Sequence, residues 1–118
     1  MNIAIVLYAP LDKLRTHQFT LGEALLVLFL HDIEKPWSYE INPLGQLARK
    51  PGLATKSAQK KFRYLKLKEL GILLTLQQEN AMHYVEGEGN DYTNEKRTMN
   101  ELAMFCHMCD GWSARGWH

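Results

Sequence analysis

Apolar positions in this chain recur mostly at helical spacing, and turn-forming residues separate the runs. The densest run is Ala24-Leu25-Leu26-Val27-Leu28-Phe29-Leu30. It follows Thr20 and Glu23, which are spaced as a capping box, so a helix is expected from Leu21 to about Asp32 or Glu34. Leu21, Leu25, Leu28 and Asp32 share one face of that helix. Lys35 suits its C-terminus, and Pro36 is expected to stop it. Before it, Ile3 to Tyr8 fits either a short strand or the first turns of a helix, and Pro10 is expected to break the segment.

Residues 36 to 55 read as a connection. Trp37 and Tyr39 are its expected anchors, Asn42-Pro43 and Pro51-Gly52 mark turns, and a short helix fits Leu44 to Ala48. A second long helix is expected from about Lys56 to Leu70, capped by Thr55 or Ser57 and closed by Gly71, with Phe62, Leu65 and Leu70 facing inward. Thr75 and Gln78 form another capping box, so a third helix starts near Leu76, with Ala81, Met82 and Val85 on its apolar side and Gly87 at its end. The last helix is expected from about Asn94 to Ser113, capped by Thr93 or Asp91. Met99, Leu102, Phe105, Cys106 and Cys109 form its apolar stripe. Together these elements predict an all-α fold, a compact bundle of about four to six helices in one domain over residues 1–118.

Composition adds exclusions. At 46% hydrophobic and 23% charged residues the chain has the balance of a soluble globular protein. Its longest apolar run is far short of the roughly 20 residues that a membrane helix needs. The apolar N-terminus lacks a basic flank and makes a poor signal peptide. With only two cysteines, this points to a reducing cytoplasm. Trp112 and Trp117 near the end of the chain need cover, from the domain itself or from a second copy in a homodimer.

The net charge of +1 conceals an uneven distribution. Arg49, Lys50, Lys56, Lys60, Lys61, Arg63, Lys66 and Lys68 carry eight of the fourteen positive charges, with no acid between Glu40 and Glu69. Such a run forms a solvated helix face or a phosphate-binding one. Cys106-His107-Met108-Cys109 has the Cys-x-x-Cys spacing of zinc and redox sites. It lacks a second pair and falls late in a helical pattern, so two buried thiols are expected instead.

The sharper chemistry lies in His31-Asp32. A histidine and an aspartate ending a buried helix must be satisfied, and a divalent cation would do so, taking a nitrogen and an oxygen. Asp110 is a second acid inside an apolar helix, three residues after His107 and on the same face.

Leu30-His31-Asp32-Ile33-Glu34-Lys35 after an apolar helix resembles the signature of the HD superfamily of metal-dependent phosphohydrolases. The resemblance implies an all-helical HD-type fold and a divalent ion (Mn, Fe, Mg, Ni or Zn) held by a separate His, the His-Asp pair and a distant Asp. Here these are His31, Asp32 and Asp110. It also implies a nucleotide or other phosphoester as substrate. Asp32 would orient a water, and Lys35 and Arg115 would neutralise developing phosphate charge. The separate His is not plainly placed. His17 is the only upstream candidate, and a helix from Leu21 to His31 spans about 15 Å at 1.5 Å per residue. His83 is the best substitute and His107 the next. Two alternatives remain open. One is a catalytically incomplete HD-like metal-binding or structural protein; the other is a helical nucleic-acid-binding module using the basic helix 56–70.

Overall fold

The computed structural model describes residues 1–116. Trp117 lies outside the described residues. The fold is all-α apart from one small hairpin. Its helices are α1 (Asn2–Leu14), α2 (Leu21–Leu30), a short α3 (Lys35–Ser38), α4 (Lys56–Glu69), α5 (Leu76–Tyr84) and α6 (Glu101–Gly111). Strands β1 (Tyr39–Ile41) and β2 (Leu47–Arg49) pair antiparallel, with Tyr39 opposite Arg49. The chain divides into two compact units, Met1–Leu30 with Leu74 onward, and His31–Leu73.

In the first unit α1, α2, α5 and α6 share an apolar core. Ala24, Val27, Leu28, Ala81, Val85, Leu102, Phe105 and Cys106 are all buried there. The two capping boxes form as their spacing predicts. Thr20 N–H donates to Glu23 Oε1 and Glu23 N–H donates to Thr20 Oγ1, each at 3.1 Å. Thr75 and Gln78 do the same, again at 3.1 Å each. No helix among the described residues is long and apolar enough to cross a membrane.

Pro10 does not break α1 but lies inside it. Its ring removes only the bond that residue 10 would donate to Val6, and both residues are exposed, so water reaches the freed carbonyl. The last helix starts at Glu101, later than the expected Asn94. Asn100 is the cap, its Oδ1 accepting from Ala103 N–H at 2.7 Å. Asn80 holds the preceding stretch out of helical register, donating to Thr98 O and accepting from Asn100 N–H, both at 2.9 Å. After α6 a π-helical turn runs from Trp112 to Gly116.

The second unit departs more from expectation. Asn42 Oδ1 accepts from the N–H groups of Leu44 and Gln46, and Gly45 takes φ +76°, so residues 42–46 make a hairpin turn and not a helix at Leu44 to Ala48. Pro36 does not stop a helix. It sits in the first turn of α3, where no N–H is needed. Trp37 and Tyr39 are 42% and 40% exposed and are not buried anchors. In α4 the inward residues are Gln59, Arg63 and Leu67, whereas Leu65 and Leu70 are exposed. The helix closes as expected on Gly71 (φ +69°). Ile72 N–H reaches back to Leu67 O at 2.9 Å and Gly71 N–H to Lys68 O at 3.2 Å.

Candidate functional site

The second unit is built around a polar interior, and this interior explains the inverted face of α4. Gln59 Nε2 donates to Leu53 O at 3.0 Å, and Arg63 lies one turn on. Arg63 Nη1 donates to His31 O at 2.6 Å, and its Nε lies 3.5 Å from Glu34 Oε2. Glu34 O in turn accepts from Ser38 Oγ at 2.8 Å. Arg63, Glu34, His31 and Ser38 are each at most 5% exposed. The planar fork of Arg63 donates to the His31 carbonyl from Nη1 and to Gln59 O from Nε at 3.4 Å while its charge lies beside the Glu34 carboxylate, a geometry that lysine does not offer. The turn that carries the His-Asp doublet is therefore clamped at its backbone by a residue thirty-two positions away.

On that turn His31 Nε2 lies 3.4 Å from Asp32 Oδ2, and Lys35 Nζ lies 3.2 Å from the same oxygen. His31 is buried, Asp32 is half-buried and Lys35 is exposed. His31, Asp32 and Lys35 are thus brought together by local sequence. The turn is reinforced by Lys35 N–H donating to Asp32 O at 3.0 Å.

The remaining predicted site residues lie in the first unit. Asp110 is half-buried on α6, one turn after His107. His107 Nδ1 contacts Val85 O at 2.9 Å. A carbonyl only accepts, so Nδ1 is the donor in this contact. Gly87 backs this ring. A Cβ there would come within 3.4 Å of His107 Cε1, and its φ of +112° already calls for glycine. His83 is half exposed, its Nε2 3.8 Å from Asp91 Oδ2 and its ring edge-on to Tyr84. Arg115 is exposed in the π-helical turn.

His17 serves another purpose. Its ring nitrogens meet Glu101 Oε1 and Tyr8 O, each at 3.1 Å, and it stacks on Phe19. It thereby ties α1 to α6. Cys106 and Cys109 are free and buried, as expected. Burial pushes the Cys106 thiol up to about 12 and the Cys109 thiol to about 11, so neither is a thiolate nucleophile near neutral pH.

Glu34 and Arg63 are the residues that sequence reading missed. Arg63 stands at i, i+4 from Gln59 and Leu67, a helical stripe that a polar–polar–apolar pattern does not advertise as buried. No family of known proteins, no curated protein and no solved structure matches the chain.

Proposed function

We propose that the chain is a divalent-metal-dependent phosphohydrolase of the HD type, acting on a nucleotide or another phosphoester, with His31, Asp32 and Asp110 as metal ligands. The carrying observation is the doublet itself: a buried imidazole 3.4 Å from its neighbour's carboxylate, on a turn fixed by an internal arginine. His31 offers an imidazole nitrogen and Asp32 a carboxylate oxygen from one turn, and the proposal adds the carboxylate of Asp110. One nitrogen and several carboxylate oxygens suit Mn, Fe, Mg, Ni or Zn. His83 is the candidate for a further ligand.

Such an ion, when bound, supplies Lewis acidity and acidifies a bound water. The chain's own residues supply the rest. Asp32 presents the second oxygen of its carboxylate as a hydrogen-bond acceptor that orients the attacking water. Lys35, beside Asp32 and otherwise open to solvent, offers an ammonium to a phosphoryl oxygen, and Arg115 offers a guanidinium. The neutral buried thiols fit a cytoplasmic location, and the exposed Trp112 fits a homodimer.

The test is phosphate release from a nucleotide panel by protein stripped with chelator and reloaded with each of the five metals. Activity that is restored by metal and abolished in Asp110→Ala and His31→Ala supports the proposal. Failure of every metal to raise the melting temperature or restore hydrolysis refutes it. The engagement of His17 by Glu101 and Tyr8 favours a second reading, a metal-binding protein without turnover. That reading predicts metal-dependent stabilisation with no phosphate released.

A further inference from the structure

Charge is segregated along this fold. Residues 31–73 hold nine Lys and Arg against four Asp and Glu, a net of +5, whereas the rest of the chain nets −4. Within the basic unit the charge is concentrated on the outer face of α4. Arg63 points inward and is neutralised by Glu34, and Lys66 pairs with Glu69 at 3.1 Å and lies over the Trp37 ring at 4.6 Å. Lys56 is also engaged, which leaves Lys60, Lys61 and Lys68. All three are exposed, and none makes an ion pair with any described residue. At 100° per residue, Lys60, Tyr64 and Lys68 form one stripe spaced about 6 Å per step along the axis, with Lys61 beside it. Tyr64, in the middle, is 58% exposed.

A face built only for solubility mixes signs along each turn, because like charges one turn apart repel. This face instead keeps three cations unanswered around one open aromatic ring. We propose that the outer face of α4 binds single-stranded nucleic acid, its lysines meeting backbone phosphates and Tyr64 stacking on a base. Phosphate is the complementary anion that repeats along a chain, and only an unpaired strand offers free base faces for a ring to cover. Arg49 on Tyr39, with Nη2 donating to the hydroxyl at 2.9 Å, gives the same unit a second exposed pairing of cation and ring. This inference does not depend on the hydrolase proposal.

The test is fluorescence anisotropy of a labelled single-stranded DNA of about 20 nucleotides, and of its duplex, with the full chain at about 50 mM salt. The single strand is expected to bind more tightly than the duplex, with a slope of log affinity against log salt near −2, as about three phosphate contacts require. K60Q/K61Q/K68Q should weaken binding at least about tenfold and flatten the slope. Y64L should weaken it about tenfold and leave the slope unchanged. Acylation footprinting of the unmutated protein gives an independent readout, with Lys60, Lys61 and Lys68 protected by the strand. The proposal is overturned by absence of binding, by lysines that stay fully reactive with the strand present, or by a duplex bound as tightly as the strand with Y64L silent.

Discussion

Arg63 carries the heaviest individual burden in the fold. It is the cation for a buried carboxylate and the donor to the carbonyl of His31, and its Nη2 and Glu34 Oε2 are buried without hydrogen-bond partners. Such a pair adds little net stability, but losing one member strands the other charge. Arg63→Ala is therefore expected to lower stability by about 3–5 kcal/mol in urea denaturation. Arg63→Met with Glu34→Met should recover most of the loss, because the stranded charge goes too. Recovery in the double variant would show that charge, and not side-chain volume, is what the pair manages. The buried thiols predict a pH effect with a definite sign. Their folded values of about 12 and about 11 lie above the ordinary 9.0, so the folded state holds protons that the unfolded state releases. Stability is then at its full value below about pH 9 and falls as pH rises toward 11 and 12, by up to about 1.4 kcal/mol per pH unit for each thiol. Equilibrium denaturation from pH 8 to 10.5 checks this. A Cys106→Ala/Cys109→Ala chain should lose that part of the decline.

Among the elements, those announced by local chemistry were legible and those decided at a distance were not. Thr20 with Glu23 and Thr75 with Gln78 mark helix starts because the bonds they make are internal to one turn. Gly71 closes α4 for an equally local reason. By contrast, α6 begins late because Asn80, far away in sequence, fixes the backbone of Thr98 and Asn100. The inward face of α4 was misread because Arg63 is drawn in by Glu34 and His31, and no apolar period records that. Pro10 inside α1 is a local flaw tolerated by the rest of the helix. Pro10→Ala is expected to raise stability by about 1–3 kcal/mol, since it restores a helix bond and removes the ring clash. A fall in stability would mean that the proline serves a purpose beyond the helix. Gly87→Ala should destabilise because φ +112° is a backbone conformation that a side chain rarely adopts, and the shift in urea midpoint measures it.

At the scale of the whole molecule, the His-Asp doublet was legible as a chemical anomaly after a greasy helix, and Asp110 as another inside an apolar one. What could not be read was the clamp beneath the doublet, because a polar interior obeys pairing and not periodicity. The hydrolase proposal rests on the doublet and the lone acid holding one ion. Anomalous scattering from a crystal soaked in manganese tests this most directly. The account predicts a peak about 2.0–2.2 Å from one imidazole nitrogen of His31 and from carboxylate oxygens of Asp32 and Asp110. Soaked crystals with no peak touching any of these three side chains would contradict it.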